Sequence, residues 1–270
     1  MICTLGDLLL DVIVRLDEPI AADADTYGRT RVGPGGQAAN VAAWVVALGD
    51  SARFIGKRAR DPAGRLLVDE LRSRGVELAG PVAETGTGTV VSIAASDGRR
   101  TMLTDRGVST EFRPEELDPR WLDDCEMLHV PAYSLVRSPL AETAFAAIEL
   151  ASRAGAKVSL DLSSTTVIRG YGAERFTELV ARVSPDFVLG NEEEVALLGD
   201  LELQVVVIKR GRNGCRVIGS DLVTDYPARS ADVVDSTGAG DAFAAGYLLG
   251  GHELALEAAA RCVSKIGATP

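Results

Sequence analysis

The sequence is poor in aromatic rings, histidine, cysteine and methionine, and it has no apolar run of membrane length. Phe, Trp and Tyr make up 5% of its 270 residues, beside 2 histidines, 4 cysteines and 3 methionines. His129 and His252 stand alone, and Cys3, Cys125, Cys215 and Cys262 lack the paired spacing of a zinc site, so the thiols read as core residues. A spanning helix needs about 20 consecutive apolar residues, which are missing here. Met1-Ile2-Cys3-Thr4-Leu5-Gly6 runs straight into a strand with no basic stretch before it, so a cytoplasmic protein is expected. Positive charge is also scarce. Its 28 Lys and Arg against 39 Asp and Glu leave a formal charge of −11, which opposes attraction to nucleic acid or anionic membrane.

What is present is ordinary globular material, 46% hydrophobic and 25% charged, enough to build a substantial core in one domain over residues 1–270. Strands alternate with helices. Met127 to Val130 reads as a strand and Leu140 to Arg153 as a helix with Leu140, Ala144, Ile148 and Ala151 on one face, closed by Gly155. Lys157 to Leu162 is the next strand, Ala173 to Val183 the next helix, and Asp186 to Leu189 and Val205 to Ile208 are further strands. This is the grammar of an α/β protein with a mostly parallel sheet, in which ligands collect at the carboxyl ends of the strands. Residues 12–32 and 88–104 break the alternation and read as short strands and turns, such as Thr89 to Ala94 closed by Ser96-Asp97-Gly98, forming a small β lid.

Two glycine segments carry the chemistry. In Asp235-Ser236-Thr237-Gly238-Ala239-Gly240-Asp241 a small-residue turn leads to a carboxylate and then to the apolar helix Ala242 to Gly250. The N–H groups of Gly238, Ala239 and Gly240 would lie at the positive end of that helix and suit an anion. Asp241 beside them is placed to take a proton from an attacking hydroxyl, although a Gly-rich helix start with a capping Asp explains this motif equally well when taken alone. In Gly33-Pro34-Gly35-Gly36-Gln37-Ala38-Ala39-Asn40, bare backbone at Gly35 and Gly36 admits a ligand closely, and Asn40 offers a donor and acceptors to sugar hydroxyls. Asn40 stands one turn into the helix, whose apolar run Val41 to Leu48 ends at Gly49.

Together, in this order, the two segments resemble the signatures of the ribokinase family of carbohydrate kinases, also called the PfkB family. Gly6-Asp7-Leu8-Leu9-Leu10-Asp11 is similar to its opening strand, Asn191-Glu192-Glu193-Glu194 to its Asn-x-x-Glu, Lys209-Arg210-Gly211-Arg212-Asn213-Gly214 to its nucleotide-side loop, and Val263 to Ala268 to its closing segment. The resemblance implies a three-layer α/β/α sandwich with a β lid that pairs between two subunits, hence a homodimer. It implies ATP and Mg2+ as cofactors and a small sugar or sugar acid as substrate. Asp241 would be the base and Gly238, Ala239 and Gly240 the anion hole. Asp11, Gly35, Gly36 and Asn40 would hold the sugar. Asn191 and Glu194 would place magnesium through water; Lys209, Gly211, Gly214 and Gly267 would meet the nucleotide; Asp235 and Thr237 would be oxygen ligands for potassium. As a plain reading of the residues, the three glutamates are equally a solvated first helical turn.

Arg106 is singled out as a substrate-side cation, since a guanidinium holds a carboxylate or a hydroxyl pair with two parallel bonds; pairing with Asp105 or another neighbour is the alternative. Leu9 and Gln37 stand where ribokinases proper carry a polar residue and a lysine, which argues against ribose itself. Asp161 has no assigned role, and the short chain from Glu194 to Lys209 requires a trimmed crossover into the next strand. Two other functions are open. A nucleoside kinase would need aromatics around the base, and only Tyr27 and Tyr133 are candidates. A noncatalytic sugar or nucleotide sensor would have little use for an intact Asp241.

Overall fold

A computed structural model describes residues 1–94, 100–199, 203–219 and 222–270. The expected turn at Ser96-Asp97-Gly98 and part of the 195–204 crossover lie outside these residues. Among those described, nine strands form one sheet in the spatial order Val223–Tyr226, Cys215–Ile218, Val206–Lys209, Phe187–Asn191, Lys157–Asp161, Met127–Pro131, Ile2–Leu5, Ala52–Ile55 and Glu77–Ala79. Seven neighbouring strands run parallel, and the first two form a hairpin in which Cys215–Ile218 pairs antiparallel with both its neighbours, so that it is the one strand running the other way among those described. Both faces of the sheet are covered, as parallel sheets require. Alternate strand residues divide between the two cores. On one side Cys3, Leu128, Val158 and Val188 pack under the helices Leu140–Arg153 and Ala173–Val183. On the other, Ile2, Phe54 and Val207 pack under Gln37–Ala47, Pro62–Ser73 and Ala239–Val263.

The helices Leu140–Arg153 and Ala173–Val183 have the expected bounds, and Leu140, Ala144, Ile148 and Ala151 are all buried. The first glycine segment feeds the helix Gln37–Ala47 directly, because Gly36 at φ 95° turns the chain into it, and Asn40 lies one turn in, as expected. One other expectation is corrected. The helix after Asp241 runs beyond Gly250 to Val263, doubling back at the non-helical Gly250 and Gly251. Its halves pack at Gly246, where an added Cβ would lie 2.6 Å from the Leu254 carbonyl oxygen and 2.7 Å from the Ala255 Cα.

A second, four-stranded sheet stands apart, in the order Gly28–Gly35, Leu9–Leu16, Gly88–Ala94, Arg100–Asp105. A Cβ at Gly35, which lies beside Leu9, would sit 2.1 Å from the Asp11 carboxylate, so a side chain there would displace that carboxylate.

The contact at Gly246 predicts that Gly246→Ala destabilises the fold by about 1 to 3 kcal/mol, the usual cost of overpacking. Gly170→Ala, in the exposed helix Thr165–Tyr171 with nothing near the new methyl, should instead stabilise by up to about 1 kcal/mol. Denaturant melts of both variants test the pair.

Candidate active site

Two cavities meet at the carboxyl edge of the large sheet. One, of about 720 Å³, is bounded by the 211–214 turn, residues 228–233 and both halves of the kinked helix, with Phe243, Leu256, Ala259 and Val263 as apolar walls. The other, of about 560 Å³, lies beneath the four-stranded sheet and is lined by Asp7, Asp11, Asn40, Arg106, Asp161 and Asp241 among others. Lys209 and Gly240 belong to both. Leu9 and Gln37, the departures from the ribokinase pattern, both line the second cavity, where Ser163 Oγ donates to Gln37 Oε1 at 2.7 Å.

Asp241 sits in the first turn of its helix, behind Gly238 at φ 77°, whose missing side chain leaves room for Ala268 at 2.4 Å from a would-be Cβ. Asp241 and Ala242 direct their N–H groups to the Gly238 carbonyl, and Ala239 reaches Ser236 at 3.3 Å. The N–H groups of Gly238 and Gly240 have no protein acceptor among the described residues. Of the three N–H groups at this helix start, these two are therefore the ones open to an anion. Asn40 Nδ2 donates to Asp241 Oδ2 at 2.8 Å, while Asn40 Oδ1 is buried without a partner among the described residues. Burial pushes the Asp241 carboxyl up to about 7, with Asp161 and Asp11 adding to the rise and Asn40 and Lys209 opposing it. Burial alone raises Asp11 to about 7, and no hydrogen-bond partner meets it among the described residues.

Arg106 lines the second cavity, but its fork is taken. Nε and Nη2 each lie 2.7 Å from an oxygen of Asp7, and Nη1 donates to the Tyr133 carbonyl at 3.0 Å. The guanidinium thus takes the alternative of pairing with a neighbour, and that neighbour is Asp7, not Asp105, because Asp7 turns inward from the strand end and needs a counter-charge once buried. The cation that sequence reasoning missed is Arg137, which lines the same cavity with no carboxylate partner among the described residues. Only its position after the Met127–Pro131 strand end could have suggested it.

Asn191 and Glu194 come together, though with each other. They form a reciprocal cap: Asn191 N–H and Nδ2 donate to Glu194 at 2.8 Å each, and Glu194 N–H donates to Asn191 Oδ1 at 2.9 Å. Burial raises the Glu194 carboxyl against the pull of Asn191 and Lys209. Neither residue lines either cavity. Gly211 and Gly214 line the larger cavity, and Gly214 at φ 84° is a position that only glycine fits, 1.9 Å from Tyr226 O at its would-be Cβ. Gly267 does not line it. Its N–H holds Asp235 Oδ2 at 3.1 Å, and it borders a separate small cavity with Asp11. Asp235 is buried, accepting from Thr237 N–H at 3.0 Å and Thr237 Oγ1 at 2.7 Å, with Arg15 at 3.8 Å. This network fixes the turn before Gly238.

Asp161, unassigned from sequence, accepts from Lys209 Nζ at 2.7 Å and from Ser163 N–H at 3.0 Å. Among the described residues no cluster of three His, Cys, Asp or Glu side chains has the arrangement of a metal site.

The pKa values of Asp241 and Asp11 predict a pH effect on stability. A carboxyl raised from 3.8 to about 7 favours the fold fully below about pH 4 and loses that contribution as pH rises through about 7. Asp241→Asn and Asp11→Asn should therefore raise the melting temperature at pH 8 and leave it nearly unchanged at pH 4. Equal shifts at both pH values would contradict the raised pKa values.

Comparison with known proteins agrees with this geometry. The model of the family described as "pfkB family carbohydrate kinase" matches residues 1–269. The chain is 32% identical to an ATP-dependent ribose-1-phosphate kinase from Halopiger xanaduensis, over 95% of this chain and 88% of the relative. It is 27% identical to fructokinase-1 from Zea mays, over 92% and 82%. An uncharacterized sugar kinase from Pyrococcus horikoshii, solved in complex with ATP, superposes with a TM-score of 0.87 at 27% identity, covering 100% of this chain and 95% of that one.

Proposed function

The chain belongs to the pfkB family of carbohydrate kinases, phosphotransferases acting on a sugar hydroxyl, and we propose that it moves the γ-phosphoryl group of ATP to a small sugar, with Asp241 as the base. The observation that carries this is the junction: Asp241 stands at the head of a helix where a large, partly apolar cavity meets a polar one, and Lys209 and Gly240 border both. ATP fits the first by size and by its apolar wall, and the Pyrococcus relative was solved with ATP. A sugar fits the second, where Asp11, Asn40 and Asp241 converge. Asp241 accepts the hydroxyl proton, and Gly238 and Gly240 offer N–H groups to the developing charge.

Magnesium, which neutralises phosphate charge in such transfers, fits Asn191 and Glu194 only through water, since both Glu194 oxygens already accept from Asn191. Potassium at Asp235 and Thr237 would share the carboxylate with Arg15, and comparing rates in potassium and sodium salts tests it. The four-stranded sheet serves as the lid over the sugar. Its exposed Val32, Met102 and Leu103 suit pairing with a second copy. An ATP-consuming enzyme of this kind would work in the cytoplasm.

A neutral sugar is the leading substrate, because Arg106 and Lys209 both already hold carboxylates. A phosphorylated or acidic sugar is the second reading, favoured by Arg137, which has no carboxylate partner among the described residues, and by the name of the Halopiger relative. A nucleoside is less well served: Tyr133 is the one aromatic residue along this cavity among the described residues, and Tyr27 is 80% exposed. A noncatalytic sensor would not need a carboxyl held near pH 7 beside free N–H donors.

ADP release measured over neutral sugars, sugar phosphates, sugar acids and nucleosides tests the reading, and no turnover on any sugar would refute it. Asp241→Asn should lower kcat by about two to four orders of magnitude while sugar binding persists. Asn40→Ala removes the one hydrogen bond that lowers the pKa of Asp241, so the acidic limb of the pH–rate profile, where the base gains its proton, should move to higher pH. Arg137→Gln separates the substrate readings: a loss of about tenfold or more in affinity confined to anionic sugars supports the second.

A further inference from the structure

Asp161 and Lys209 are the last residues of the strands Lys157–Asp161 and Val206–Lys209, with Phe187–Asn191 between them in the sheet. Leu160 packs on one face of the sheet and Val207 on the other, so alternation sends Asp161 and Lys209 to the same face, under the helices Gln37–Ala47 and Ala239–Val263. The lysine reaches across the intervening strand to bring Nζ 2.7 Å from Asp161 Oδ2. Asp161 is fully buried; the lysine side chain is 18% exposed and opens on both cavities. Its Nζ lies 3.5 Å from where a Gly240 Cβ would be, beside the backbone of the anion hole.

A buried ion pair contributes little to stability once desolvation is counted, and apolar residues of similar volume often do better. The place of this pair is better explained by chemistry. Building on the kinase reading, we propose that Lys209 is a catalytic cation that accompanies the phosphoryl group from donor to acceptor, and that Asp161 is the positioning residue that holds it at the junction. In the step itself the sugar O–H gives its proton to the Asp241 carboxylate and its oxygen forms the new bond to phosphorus. The bond from phosphorus to the bridging oxygen breaks, and its electron pair leaves with ADP. Lys209 gives up no proton. It balances the negative charge spread over the moving group, whichever cavity holds that group.

Asp161 has a second effect. Burial disfavours charge on Lys209, but Asp161, with Glu194 and Asp241 beyond it, more than offsets this and raises its pKa. Asp241 also competes for the ammonium, and a direct Lys209–Asp241 pair would quench the base. Holding Nζ against Asp161 leaves Asn40 as the hydrogen-bonding partner of Asp241. His129, behind the pair, is held neutral because burial lowers its pKa to about 4.

The test uses the best sugar of the wild-type enzyme. If no sugar turns over, the kinase reading fails; with an active wild type, the variants judge Lys209 alone. In Lys209→Gln, and in the apolar double variant Lys209→Met with Asp161→Leu, kcat should fall about a hundred- to a thousandfold. The sugar KM should stay within about fivefold. The acidic limb of the pH–rate profile should move up in Lys209→Gln, which removes the positive charge near Asp241. It should move down in Asp161→Asn, which removes a negative charge and frees the lysine to approach the base. A folded double variant with near-wild-type kcat would reduce the pair to a structural brace, and a raised KM with kcat intact would make Lys209 a ground-state binder. Either result overturns the proposal. If the double variant does not fold, the division between KM and kcat and the opposite limb shifts in the single variants decide the matter.

Discussion

The carboxylate of Asp241 is held where burial resists its charge, and much of the surrounding architecture manages that conflict. The positive end of the Ala239–Val263 helix and the Asn40 amide favour the charged form, while desolvation, Asp161 and Asp11 oppose it. The balance falls near neutral pH, which would suit the proposed role of a group that takes a proton and later releases it. A fully solvated aspartate would be too weak a base, and a directly paired one would be weaker still.

The neighbouring charges follow the same logic. Asp7 with Arg106, and Asp161 with Lys209, are internally neutralised pairs, so the walls of the polar cavity stay charged without presenting a strong field of either sign. Asp11 and Asp241 remain as open acceptors, and Arg137 stands at the rim as the cation without a partner among the described residues. Substrate choice is thus a question of which hydroxyls or anionic groups meet these few open atoms. The glycines matter for a related reason. Gly35 yields to the Asp11 carboxylate, Gly36 to the Asp7 carbonyl and Gly238 to Ala268, so two chain segments about 200 residues apart can close on one site.

Much of this was legible in the residues alone. Local signals set the helices Leu140–Arg153 and Ala173–Val183 to the residue, because their apolar periodicity and closing glycine or polar caps depend on near neighbours. The two glycine segments and Asp241 were recognisable because an anion site at a helix start needs small residues at fixed spacing. The long extension of the last helix was missed because Gly250-Gly251 looks like an end, and only the packing of Gly246 against Leu254 and Ala255 shows that the chain doubles back.

Pairing of charges is where sequence reasoning stopped. Nothing local says that Arg106 would choose Asp7 over Asp105, that Glu194 would cap Asn191 away from both cavities, or that Gly267 would secure Asp235 and not border the cavity lined by Gly211 and Gly214. Asp161 looked idle until the sheet order set it one strand from Lys209. The sequence by itself determined most of the elements and the glycine turn that leads to Asp241, since these rest on backbone conformation and short-range spacing. Tertiary structure decided which charges neutralise each other and which stay open, because that depends on distances across strands that no spacing along the chain encodes.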